Sequence, residues 1–204
     1  MVEVAPPTHR GPEGTAETPT TPAHASFEAS AFNLEGLRLG ATIGDFGGRH
    51  KSSLCDDDPI ESGKRHVWFF APCNHKRALP DATVVAVLAT PAKEGATPAG
   101  KATAIAWFGG NWPTNAGVFP VPLHATLTEV ERALGPGQRL FDFKGVLDGG
   151  EHLVVYRHGE QIYSVIQNGA AIGFVIGRMS HSPNDEEWRG LVGNALRQVH
   201  PAAR

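Results

Sequence analysis

The chain has little of what marks a common chemistry. Its 204 residues hold two cysteines, two methionines and two tyrosines. Charged residues make up 19%, and the net charge is −3. That balance lacks the basic face a nucleic-acid surface needs, so no nucleic-acid partner is expected. No apolar run approaches the ~18 residues of a membrane span. No basic segment leads into an apolar one at the N-terminus, as a signal peptide would. The expectation is a soluble chain with no transmembrane segment. Gly44-Asp45-Phe46-Gly47-Gly48 and Gly145-Val146-Leu147-Asp148-Gly149-Gly150 lack the Lys-Ser/Thr that completes a phosphate loop, and read as turns.

The cysteines, Cys55 and Cys73, lie 18 residues apart. They can be buried or free thiols, or a disulfide in an oxidising compartment. His66 and His75 share their segment with the acidic run Asp56-Asp57-Asp58. Two Cys and two His could in principle make a tetrahedral zinc site. The Cys-x-x-Cys spacing is absent, however, and the His interleave with the Cys. The acidic run also lacks the alternating ligand spacing of a calcium loop. Cys55 or Cys73 as nucleophile with His66 or His75 as base is the enzymatic alternative. No cofactor, metal or catalytic residue is assigned.

Glycine and proline are plentiful, 24 and 16 residues, and predict a turn-rich, strand-rich body. Residues 1–30 carry Pro, Thr, Ala and Glu without apolar period and are expected to be a disordered tail. Ordered structure is expected from near Phe32. Two stretches then echo each other 84 residues apart, Leu39-Gly40-Ala41-Thr42-Ile43-Gly44-Asp45-Phe46 and Leu123-His124-Ala125-Thr126-Leu127-Thr128-Glu129-Val130. Each reads as a helix start, with Thr42 or Thr126 as N-cap and Asp45 or Glu129 three residues on. Either two unrelated helices are capped alike, or the chain is internally duplicated; duplication is the favoured reading.

After the first helix, which Gly47-Gly48 should keep short, strands are predicted at His66–Ala71, Thr83–Ala89 and Lys101–Phe108. Residues 109–115 form the best boundary. After the second helix, which Gly135-Pro136-Gly137 stops, strands are predicted at Gln138–Leu147, Glu151–Arg157, Gln161–Gln167 and Ala171–Arg178. Tight turns separate them, Asn168-Gly169 being the strongest hairpin signal. Ser182-Pro183-Asn184-Asp185 then opens a helix whose Trp188, Leu191, Val192, Ala195, Leu196 and Val199 form one apolar stripe. The expected fold is α+β, with two tandem units of short helices packed on antiparallel β-meander sheets and a C-terminal amphipathic helix. Its parts are the tail 1–30, a first repeat 31–112 and a second repeat 113–204.

The lead-in Gly36-Leu37-Arg38-Leu39-Gly40-Ala41-Thr42, its echo Leu123-His124-Ala125-Thr126, the stop Leu134-Gly135-Pro136 and the following meander form a plan. It resembles the fold of outer-membrane assembly lipoproteins of the SmpA/OmlA (BamE) type. The tandem form is similar to the beta-lactamase inhibitory protein family. The former often carry Met where Ala41 and Ala125 stand here. The inhibitory family bridges two cysteines between helix and first strand of each repeat; the resemblance implies a Cys55–Cys73 disulfide in the first repeat and none in the second. It further implies a non-enzymatic protein that binds another protein through a sheet face or loops. The implied location is periplasmic or secreted where a leader has been removed, and cytoplasmic otherwise.

The residues themselves suggest where. Trp68, Phe69, Phe70, Trp107, Phe108 and Trp112 cluster in the first unit. Consecutive strand residues face opposite sides, so some must face away from the core unless both faces are covered. Exposed aromatics make good hot spots. Trp68, Phe70, Trp107 and Trp112 are therefore the expected protein-binding surface.

Overall fold

The computed structural model describes residues 27–34, 36–49, 59–62, 64–70, 84–90, 100–109, 118–144, 152–182 and 186–199. Eight strands form one antiparallel sheet: β1 Ile60–Ser62, β2 Arg65–Phe70, β3 Val84–Ala89, β4 Ala102–Phe108, β5 Gln138–Lys144, β6 His152–His158, β7 Ile162–Gln167 and β8 Ala170–Gly177. Their order is β1-β2-β3-β4-β8-β7-β6-β5. The sheet thus consists of two four-stranded meanders joined through their last strands. Helices α1 Ile43–Arg49 and α2 Leu127–Leu134 each precede one meander, and α3 Glu186–Val199 follows both. The α+β class and the closing helix are as expected.

Alternation along the strands divides the core in two. One side of the sheet carries Trp68, Phe70, Val87, Ile105, Trp107 and Phe174, and packs on Phe32, Leu37, Ile43, Phe46, Phe119 and Val130 from the helices and lead-in segments. The other carries Val67, Phe69, Leu88, Phe108, Phe143, Leu153 and Val165, and packs on α3. The apolar stripe read in α3 is buried at Trp188, Leu191, Val192, Ala195, Leu196 and Val199.

The lead-ins dock by matching hydrogen bonds. Gly40 N donates to Ala102 O, Ala102 N to Ala41 O, and Ile43 N to Gly100 O, at 2.8, 2.9 and 3.0 Å. His124 N donates to Ala171 O, Ala171 N to Ala125 O, and Leu127 N to Gly169 O, at 2.7, 2.8 and 3.1 Å. Gly40 and His124 both have positive φ, 79° and 68°. The two meanders share one irregularity at matching places, between Leu88 and Ala89 in β3 and between Val165 and Ile166 in β7, and the second meander carries another between Arg139 and Phe141 in β5.

Three local expectations change. The segment 27–30, placed in the tail, belongs to the fold. Phe27 stacks edge-on against Phe119 at 5.1 Å, and Ala29 is buried in the 3-10 turn Ala29–Ala31. Helix α1 is short, as expected, at seven residues, but it includes Gly47-Gly48 and ends at Arg49. A short strand, β1, lies ahead of the first strand that was predicted. The tail 1–26 and most of the expected boundary 109–115 lie outside the described residues.

Candidate functional site

Trp68, Phe70 and Trp107 are only 3%, 4% and 1% exposed. The aromatic face expected to meet a partner is covered, so these side chains serve the core. Phe70 meets Phe46 of α1 edge-on at 5.0 Å, and Trp107 stacks on Phe32 at 5.1 Å. Alternation revealed which residues share a face but not that the lead-in segments cover it. Trp68 Nε1 is buried without a hydrogen-bond partner among the described residues, which costs ~1–3 kcal/mol. Trp112, Cys55, Cys73 and His75 lie outside the described residues, and His66 is half-buried on β2. Among the described residues no group of three His, Cys, Asp or Glu is placed to hold a metal. Also among them, no helix is long and apolar enough to cross a membrane.

The sheet is open instead at its β5–β6 end, on the side that carries α1 and α2. In β6, Leu153 and Val155 point to α3, which leaves His152, Val154 and Tyr156 on the opposite side. In β5, Phe141 and Phe143 point to α3. A register shift between Arg139 and Phe141 turns partly buried Leu140 toward the same core. Residues three apart in a regular strand face opposite ways; the bulge brings Arg139 and Asp142 to one face. Arg139 pairs across with Tyr156, Asp142 with Val154, and Lys144 with His152.

The charges on this face are fixed. Arg139 Nη2 donates to Asp142 Oδ1 and Oδ2 at 2.8 and 2.6 Å, and Arg139 Nε to Oδ1 at 3.0 Å. His152 Nε2 lies 3.0 Å from Asp142 Oδ2. Bonds from Arg139, then His152, hold the Asp142 carboxyl down at about 2. Arg139 and His152 side chains keep 56% and 49% of their exposure. The result is a strip with an ion-paired, hydrogen-bonded row beside the half-buried Val154 and Tyr156. The sequence reading missed it because a bulge depends on pairing with another strand. The break in alternation at Leu140-Phe141-Asp142-Phe143 was the signal present.

Two polar features flank the strip. His158, 1% exposed, sits below the end of α2 with Nδ1 3.0 Å from Gly135 O and Nε2 2.9 Å from Ser164 Oγ. Burial lowers its pKa, although the Gly135 carbonyl and Glu131 oppose that shift. A shallow groove of about 350 Å³ runs beside α2, lined by Pro120, Pro122, Leu123, His124, Glu129 and Ala133 among others. Glu129 there is engaged: its Oε2 accepts from Thr126 N at 2.7 Å in the capping box read from sequence.

No protein-family model, curated protein or solved structure matches this chain.

Proposed function

We propose that this chain is a non-enzymatic protein-binding module of two tandem, duplicated units, and that its partner docks on the open β5–β6 face. The carrying observation is the Arg139–Asp142–His152 row beside Tyr156 and Val154. Fixed charges next to a half-buried aromatic offer direction and apolar area at little ordering cost. The resemblance to SmpA/OmlA (BamE)-type and beta-lactamase inhibitory proteins implies binding of the same general kind.

Duplication is supported by the matched lead-in bonds and by the position of the β3 and β7 bulges. Aligned through those bulges, Val87 corresponds to Ser164, and the cross-strand partners Trp68 and Phe70 correspond to Tyr156 and His158. Ala106 then corresponds to Val175, and these two residues pair with each other at the β4–β8 junction. A two-fold relation between the meanders requires such a self-matched pair at its axis.

The test is affinity capture from the native source with the intact chain and with an Asp142→Arg, Tyr156→Ala variant of unchanged circular dichroism. A protein recovered by the former and lost by the latter supports the docking face. Identical recovery by both sinks it. Trp68→Ala with Trp107→Ala is unsuitable, because each truncation costs ~3–5 kcal/mol of core stability and partner loss would follow from unfolding.

A further inference from the structure

His158 and Ser164 stand where the first meander has Phe70 and Val87. One half of the sheet therefore builds this part of its core from apolar side chains alone. The other half replaces both with a hydrogen-bonded polar pair at the same diagonal positions. A buried polar pair that the sister unit does without invites a role other than folding. We propose that His158 and Ser164 form a proton-sensitive catch. Neutral His158 holds the Gly135–Gly137 turn on the sheet, and its protonation releases that turn from the Tyr156 surface. The comparison rests on the duplication reading, and the link to binding rests on the proposed docking face.

The geometry favours a neutral ring. The Gly135 carbonyl can only accept, so Nδ1 carries the hydrogen and Nε2 accepts from the Ser164 hydroxyl. Both ring nitrogens and the hydroxyl are then satisfied. A second proton at Nε2 forces the hydroxyl to turn round from donor to acceptor. It also places a charge on a side chain with 1% exposure. Ser164 is itself fully buried.

The surroundings offset this only in part. The Gly135 carbonyl and the Glu131 carboxylate of α2 both favour the charged ring, but burial outweighs them; Glu131 Oε1 also accepts from Gly137 N at 3.2 Å. From β5, Arg139 is engaged by Asp142. From β7 and β8 the same side presents the apolar Ile162, Ile166, Phe174 and Ile176. The turn lies directly on the rings below it. A Cβ added at Gly137 would come within 2.8 Å of His158 Cε1 and 3.2 Å of Tyr156 Cδ1. The charged ring can still donate from Nδ1 to Gly135, so release comes when the charged ring leaves its buried seat; the Gly135 bond then goes with it and frees the end of α2 and the cover over one side of Tyr156.

The test is amide hydrogen exchange on the intact protein between pH about 7.5 and about 5.5, corrected for intrinsic rates. The Gly135 and Gly137 amides should open severalfold more often as pH falls below about 6.5, the ordinary value that a released His158 regains, because burial holds the seated ring below it. Val130, bonded to Thr126 O at the start of α2 at 3.0 Å, should not follow them. His158→Phe with Ser164→Val restores the first unit's pair and should exchange without pH dependence. If that variant does not fold, His158→Gln, which bonds but does not titrate, should give the same flat profile. A flat wild-type profile overturns the proposal, as does an equal pH dependence in the variants. The measurement needs no partner, so failure of the catch and failure of the docking face are separately visible.

Discussion

Asp142 shows how much chemistry one exposed residue can hold when its backbone is positioned by a bulge. Its carboxyl accepts from Arg139 and His152 and is held at about 2, below its ordinary 3.8. The unfolded chain therefore binds more protons than the folded one between these values, and stability rises with pH across that window. Asp142 stabilises the fold above about 3.8, and that contribution disappears as pH falls toward about 2. Asp142→Asn should flatten this acid limb of a thermal-melt series. At neutral pH the variant should lose only a small, salt-sensitive increment, because the residue is exposed and screened. An acid limb unchanged by the substitution would show that the pair does not persist in solution.

At the scale of elements, α3 is latched where β1 and β2 meet its first turn. The guanidinium of Arg65 pairs with buried Glu187 and also donates to Thr103 Oγ1 at 3.2 Å. Ser62 Oγ donates to Glu187 O at 3.0 Å, and Trp188 Nε1 to Ser180 O at 2.6 Å. A buried ion pair gains little net stability, but breaking it strands a charge. Glu187→Leu alone should cost ~3–5 kcal/mol in a denaturant melt, because Arg65 is left uncompensated. Arg65→Met combined with Glu187→Leu should recover most of that loss. Additive losses in the double variant would show that the two side chains act independently. The sequence could not announce this latch. Residues 62 and 187 are joined by folding over 125 positions, and the three-residue β1 has too few residues to show a period. Local signals did carry over: the Thr126–Glu129 box, the Asn168-Gly169 turn and the α3 stripe each depend on neighbours within about one turn or hairpin.

For the whole molecule, α3 determines the shape of the sheet. β1 and β5 are its opposite edges. Seven strand spacings of about 4.8 Å would put the edges of a flat sheet about 34 Å apart. Yet Glu187 bonds Ser62 of β1, while Trp188, its neighbour, meets Phe141 of β5 at a ring distance of 5.6 Å. A helix with its side chains is only about 10–12 Å wide, so the sheet must curl round it and bring both edges to one helix. Strand-by-strand reading could identify an apolar face in each meander, but not that both faces would close on the same helix. That closure makes α3 part of the core. Leu191, Val192, Leu196 and Val199 are buried, and at ~1.5–3 kcal/mol each they contribute ~6–12 kcal/mol together. The net stability of a domain is ~5–15 kcal/mol. A chain ended at Ser182 should therefore lose its near-ultraviolet circular dichroism and bind a hydrophobic dye, with strand content partly retained. A cooperative melt with native near-ultraviolet signal from that shortened chain would instead mean that the two meanders hold each other through β4 and β8, and that α3 only caps a sheet already closed.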